Sequence, residues 1–272
     1  MKTRVLSGLI GAVLLIAVLV QPFMLIVEIG VAALCGIAVY ELLVATKLAP
    51  SKPVCAVCMV FAASVPFWRY LPQGTVLWVL YAFAALLLVA QVVRHRDQPV
   101  TATLYAAAVT VLSSLSLSSI AFLRAQEGHG LFLVVWMLLI PWMSDTGAYF
   151  TGVLCGKTKL CPEISPKKTV EGLVGGLLTS VIICLAAAYV YETWISPETT
   201  VNLLLLAAVT LCGAVLSVFG DLLASLIKRH AGIKDFGNLM PGHGGVMDRF
   251  DSLLLTAPLV VLVVTQLPIF GA

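Results

Sequence analysis

Thr75-Val-Leu-Trp-Val-Leu-Tyr-Ala-Phe-Ala-Ala-Leu-Leu-Leu-Val-Ala-Gln-Val-Val93 runs for nineteen residues without a charge. As a helix it would rise about 28 Å, close to the roughly 30 Å of hydrocarbon in a bilayer. In lipid every backbone N–H and C=O must be satisfied within the segment, and an uninterrupted apolar run achieves this only as a helix. Similar runs recur about nine times, near residues 5–20, 24–45, 53–70, 75–93, 100–122, 131–150, 170–191, 201–229 and 252–270. Residues 53–93 also leave room for a re-entrant segment. The predicted fold is therefore an all-α polytopic membrane protein of about nine transmembrane helices.

Composition agrees with this reading. The chain is 61% hydrophobic and 11% charged over 272 residues, too little polar surface to cover a water-soluble globule. Its net charge of +3 says less than the distribution of that charge. With nine spans, fourteen of the sixteen Lys and Arg residues fall on the face that holds the N-terminus, leaving only Arg69 and Arg124 opposite. The positive-inside rule makes the basic face, and the N-terminus, cytoplasmic, as expected of a multi-pass inner-membrane protein. Met1–Val20 has the basic start of a signal peptide but no small-x-small cleavage site, and it reads as a retained first helix. Most of the seven cysteines lie in apolar runs as small hydrophobes. Cys55 and Cys58 have no second Cys or His pair near them in sequence to complete a zinc site.

Residues 1–130 read as transmembrane scaffold, and residues 131–272 as the part that carries the catalytic motifs. Within the scaffold, Glu28 and Glu41 stand near the ends of the second span. Glu41 either lines a polar cavity or snorkels to the cytoplasmic interface. Ser113, Ser114, Ser116, Ser118 and Ser119 suit close helix packing or hydrogen bonds to neighbouring backbone.

In the second half, charge gathers on the cytoplasmic side. Asp145 sits near the cytoplasmic end of the sixth span, followed by Lys157, Lys159, Lys167 and Lys168 and then Glu171. Such a loop suits an anionic partner or anionic lipid headgroups. Asp221, Ser225 and Lys228 fall at i, i+4 and i+7, a spacing that places a carboxylate, a hydroxyl and an ammonium on one helical stripe bordered by Arg229. In Pro241-Gly-His-Gly-Gly245 the glycines allow backbone N–H groups to approach an anion. Asp248 and Asp251 share a face of the last helix and offer the hard oxygen ligands that Mg²⁺ prefers. These carboxylates are expected at a wet membrane face, where an isosteric amide would leave folding intact.

The run Ser225-x-x-Lys-Arg-x-x-x-x-Lys-Asp-x-Gly-x-x-x-Pro-Gly-His-Gly-Gly-x-x-Asp-Arg-x-Asp251 resembles the signature of phosphatidate cytidylyltransferases, also called CDP-diacylglycerol synthases. Ser144-Asp-Thr-Gly-Ala-Tyr149, Ser165-Pro-Lys-Lys-Thr-Val-Glu-Gly172 and Phe219-Gly-Asp221 look like further motifs of that family, with Val170 where many members have Trp. The resemblance is specific over 141–252 and only general before it. It implies transfer of a cytidylyl group from CTP to phosphatidic acid, with Mg²⁺ required and an active site on the cytoplasmic side. Asp221 and Asp248 become the first candidates for metal ligands, then Asp145 and Asp251. Lys228, Arg229, Lys234 and Arg249 are candidates for phosphate oxygens, with Lys167 and Lys168 for the lipid phosphate or the nucleotide. Ser225, Gly244 and Gly245 line the substrate site, and His243 contacts a phosphate or braces the glycine turn. The family also implies a homodimer and allows a second, monovalent cation; membrane lipids are partners and nucleic acid is not. Two alternatives stand beside this reading: a CTP-dependent polyprenol or phytol kinase, and an ion-coupled transporter. The first differs in the phosphate attacked; the second would place its charges at midplane among inverted repeats, which are absent.

Overall fold

The computed structural model describes residues 2–46, 51–239 and 244–271. Helices account for about three quarters of it: α1 (Lys2–Leu19), α2 (Met24–Ala45), α3 (Lys52–Ser64) with a 3-10 turn (Val65–Tyr70), α4 (Thr75–Val93), α5 (Val100–Arg124), α6 (Gly130–Cys155), α7 (Val170–Val190) with a π turn (Tyr191–Ile195), α8 (Leu203–His230), α9 (Met247–Phe250) and α10 (Leu253–Gln266). Among the described residues, seven helical segments are long and apolar enough to cross a bilayer: α2, α3 with its 3-10 turn, α4, α5, α6, α7 with its π turn, and α8. α10, with 14 residues, rises only about 21 Å. Residues 53–93 form two helical segments, Lys52–Tyr70 and Thr75–Val93, each long and apolar enough to cross.

The chain divides into two compact units, one of residues 1–125 and 227–250 and the other of residues 126–226 and 251–272. In the first, α2 packs on α3 and α5 through Val27, Val31, Ala38, Val39 and Leu43, all fully or almost fully buried. The serine stripe of α5 is buried in the same core. Ser113, Ser114 and Ser119 donate to the carbonyls of Val109, Thr110 and Leu115 one turn back, at 2.5, 2.6 and 2.8 Å, and so meet their hydrogen-bonding needs within their own helix. Cys35 packs against Ser118 at 3.7 Å. Glu28, also fully buried, accepts from the Tyr70 hydroxyl at 3.0 Å and lies 3.6 Å from Arg69.

In the second unit, α6 and α7 form an antiparallel pair whose backbones nearly touch. A Cβ on Gly172 would stand 2.8 Å from the Ala148 carbonyl oxygen, and one on Gly176 would stand 2.5 Å from that of Ser144. Small residues on both helices permit this approach, the usual solution where lipid offers no hydrophobic drive for helices to associate. Ser180 then donates across the pair to the Ile140 carbonyl at 2.9 Å, and the indole of Trp136 donates to Thr210 at 2.9 Å. The α6–α7 connection is an antiparallel hairpin of β1 (Lys159–Cys161) and β2 (Ser165–Thr169), which the helical reading did not include. The side chain of Thr169 caps α7 by accepting from the Gly172 N–H at 3.1 Å. Glu171 accepts the backbone N–H groups of Lys157 and Thr158 at 3.1 Å and so ties the other end of the hairpin to the same helix start. A second pair of short strands, β3 (Thr200–Val201) and β4 (Phe270–Gly271), joins the chain end to the segment before α8.

Candidate active site

Two clusters hold the residues expected to do chemistry, one in each unit. In the second unit, the α6–α7 pair and its hairpin carry Asp145 and Lys168, while α8 brings Asp221. Lys168 Nζ lies 2.6 Å from Asp221 Oδ2. Asp145 lines the same cavity as Lys168. Ser225 donates to Asp221 Oδ1 at 3.4 Å, as the i, i+4 spacing predicts. Gly220 makes room for this arrangement, because a Cβ there would stand 2.7 Å from the Asp251 carbonyl oxygen. Ser252 links the remaining acids: its N–H donates to Asp251 Oδ1 at 2.9 Å and its hydroxyl to Asp145 Oδ2 at 3.3 Å. Beside the cluster lies a cavity of about 180 Å³ whose walls include Asp145, Lys167 and Lys168 together with Tyr149, Leu160 and Leu173. A charged end and an apolar wall in one cavity suit an amphiphilic anion.

The cluster in the first unit is built where α8 ends. Gly232, at φ +69°, closes the helix. The Ile233 N–H reaches the Lys228 carbonyl at 2.9 Å and the Gly232 N–H that of Arg229 at 3.1 Å, the paired bonds of a Schellman cap. Lys228, in the last turn, pairs with Asp248 Oδ1 at 3.0 Å and lies over the Phe236 ring at 5.1 Å. The other oxygen of Asp248 accepts the backbone N–H groups of Phe236 at 2.8 Å and Gly245 at 3.0 Å. Gly244, at φ +86°, takes a backbone conformation other residues rarely adopt, and a Cβ there would stand 2.9 Å from the same carboxylate. Arg229, Lys234 and Arg249 are exposed and make no ion pair among the described residues.

The expected stripe along α8 is thus divided. Asp221 and Ser225 keep company, while Lys228 turns to Asp248. The expectation of a wet setting also needs correction for Asp248 and Asp251, which are both buried. The side chain of Asp221 is 26% exposed, but that of Asp248 is only 2% exposed and fully engaged by an ammonium and two amides, so its amide isostere would not leave folding untouched. His243 lies outside the described residues. Sequence reasoning did not name Ser252, although a serine directly after Asp251 was a visible signal, and it left Glu41 undecided. Glu41 accepts the Met247 N–H at 3.0 Å and is therefore part of the first unit's cluster.

The donor set suits a hard divalent cation only sparingly. Among the described residues no three His, Cys, Asp or Glu side chains converge. Asp145 nonetheless lines the same cavity as Lys168, whose ammonium pairs with Asp221. Mg²⁺ is commonly held by one or two carboxylates, with water and substrate phosphates completing its shell, so these two acids fit such an ion.

Against known proteins, the model of the cytidylyltransferase family matches residues 2–267. A phosphatidate cytidylyltransferase of Staphylococcus aureus (strain COL) is 41% identical over 157 residues, 57% of this chain and 58% of that protein. Those of Staphylococcus haemolyticus (strain JCSC1435) and Staphylococcus saprophyticus are 39% and 41% identical over 158 residues, with the same coverage of both chains. The match thus spans a little over half the length of these relatives.

Proposed function

Because the chain belongs to the cytidylyltransferase family, we propose that it transfers a cytidylyl group from CTP to phosphatidic acid, forming CDP-diacylglycerol and pyrophosphate. The observation that carries this reading is a largely apolar cavity lined by Asp145, Lys167 and Lys168, beside the Lys168–Asp221 pair. A lipid phosphate matches that cavity in both its charge and its tail. The names of the curated relatives point the same way. Nothing in the arrangement favours the kinase or the transporter.

The phosphatidate oxygen is already an anionic nucleophile. It attacks the α-phosphorus of CTP, and the bond from that phosphorus to the bridging oxygen breaks as pyrophosphate leaves. No strong general base is required; the protein's contribution is in-line placement and neutralisation of negative charge. Lys167 and Lys168 hold the lipid phosphate. Arg229, Lys234 and Arg249, exposed and without an ion pair among the described residues, take the oxygens of the triphosphate; Lys228, Gly244 and Gly245 in the same unit, and Ser225, are the further substrate-binding residues. Asp221, with Asp145 beside it, is the principal seat for Mg²⁺. Asp251, and Asp248 once the Lys228 ammonium is displaced from Oδ1, are the further carboxylates assigned to the metal. When bound, Mg²⁺ supplies charge neutralisation at the α-phosphate and the departing pyrophosphate. His243 steadies the nucleotide or the glycine turn. A second, monovalent cation and a homodimer complete the reading.

The same reading gives the protein nine spans in the inner membrane, with the N-terminus and the active site facing the cytoplasm, where CTP is made. The nine helices α1 to α8 and α10, and the bias of basic residues to one face, support it.

Labelled CTP tests the reaction. Given phosphatidate, the purified protein should place α-label in the lipid and release γ-label as pyrophosphate, with no turnover of polyprenol or phytol. Lipid labelled only from the γ-position would replace this reading with a CTP-dependent lipid kinase.

A further inference from the structure

Glu41 stands in the last two turns of α2, within what reads as membrane scaffold, with only 6% of its surface exposed. Among the described residues no Lys, Arg or His forms an ion pair with it. A buried carboxylate without a cation is costly unless hydrogen bonds take up its charge. Here the backbone does so. The Met247 N–H donates to Glu41 Oε2 at 3.0 Å, across 206 residues of sequence.

The surroundings show how closely the chain is drawn to this carboxylate. A Cβ on either Gly237 or Gly245 would fall onto its oxygens. One side chain from a distant helix therefore meets the α8–α9 connection at two places: it packs against Gly237 midway along it, and at its end it lies against Gly245 and accepts from Met247. Asp248 bonds the same two stretches, through the N–H groups of Phe236 and Gly245. Two carboxylates thus tie the middle of the connection to its end, and the glycines at 237 and 245 are what let the backbone lie between them.

We propose that Glu41 is a positioning residue for the transfer reaction: by holding the middle of the α8–α9 connection, at Gly237, to its end, at Gly245–Met247, it fixes Asp248 against Lys228 and keeps Lys234 and Arg249 in place for the nucleotide phosphates. The assignment rests on the cytidylyltransferase reading. It also accounts for an acid in the scaffold that motif spacing leaves unexplained.

The test uses the full-length protein in detergent, as the parent, Glu41→Ala, Glu41→Gln and Gly237→Ala. Hydrogen–deuterium exchange without substrate reads the clamp. Glu41→Ala should raise exchange at residues 236–248 about tenfold or more while α3 and α5 keep the parental rates. Its kcat should fall about ten- to a hundredfold, the worth of a charged hydrogen bond, with KM for CTP within about threefold of the parent. Glu41→Gln keeps one oxygen as acceptor and should recover most of both. Gly237→Ala drives a methyl group into the carboxylate and should reproduce the exchange defect, but add little when combined with Glu41→Ala. If Glu41→Ala does not purify, Gly237→Ala alone must show the exchange defect. Unchanged exchange in either variant overturns the clamp, and faster exchange with parental kcat overturns its part in the reaction. Because exchange is read without CTP, a failed clamp and a failed reaction are told apart.

Discussion

Replacing Asp248 with Asn should unfold the protein more readily, whereas the same change at Asp221 should not. Asp248 meets an ammonium with one oxygen and two backbone N–H groups with the other, and its side chain is 2% exposed. An amide offers one acceptor and one donor. If its oxygen faces the backbone, its NH₂ faces the Lys228 ammonium; if it is flipped, its NH₂ faces two N–H groups. Either orientation sets donor against donor in a buried site. Breaking one side of a buried ion pair costs about 3–5 kcal/mol. At about 2–4 °C per kcal/mol for a chain of this size, the melting temperature should drop by roughly 6–20 °C. The Lys168–Asp221 pair is shorter, at 2.6 Å, but its side chains are 23% and 26% exposed, so Asp221→Asn should cost about 1 kcal/mol or less. The five tryptophans allow both variants to be followed by fluorescence during a thermal scan of detergent-solubilised protein. Adding Lys228→Met to Asp248→Asn removes the opposing donor and should restore part of the loss. If Asp248→Asn melts within about 2 °C of the parent, or no lower than Asp221→Asn, the buried clamp assigned to Asp248 is wrong.

Other expectations test the remaining pieces. Asp221→Asn should purify and melt almost normally yet lose at least about a hundredfold in CTP-dependent turnover at saturating Mg²⁺; substantial residual activity would remove Asp221 from the metal site. Gly176→Ala places a Cβ 2.5 Å from the Ser144 carbonyl oxygen and 3.1 Å from the Ala148 Cβ, neither of which is a flexible side-chain end, and should destabilise by about 1–3 kcal/mol in the same thermal scan. Gly36→Ala, in α2, meets nothing within 4 Å and should be neutral or mildly stabilising; equal melting of the two variants would contradict the close α6–α7 approach. A single Cys at the exposed position Asn238, in a cysteine-free background, should react with an impermeant thiol reagent only after the cytoplasmic face is opened. Labelling from outside intact cells would reverse the orientation.

Much of this protein was legible in its sequence because the bilayer makes secondary structure a local matter. An apolar run in lipid must close its own hydrogen bonds, so the length and purity of each run point to a helix, and seven of the nine expected spans coincide with helical segments long and apolar enough to cross a bilayer among the described residues. The β1–β2 hairpin escaped for the opposite reason. Lys159–Thr169 lies outside the apolar runs, and strands of three and five residues interrupted by Pro162 and Pro166 show no clear alternation.

The candidate site was legible as a collection of residue types and not as a set of partners. Helical spacing correctly put Ser225 beside Asp221, since both lie on one rigid element. No spacing rule says which ammonium meets which carboxylate when the partners come from different elements. Only the tertiary structure paired Lys168 with Asp221 and Lys228 with Asp248, and only it brought Glu41 to Met247 across the chain. Sequence alone determined where helices form, because that follows from each segment's own backbone and the solvent around it. The tertiary structure decided which charges are wet and which are buried, because burial depends on how closely other segments approach, and here glycines at 237 and 245 set that distance.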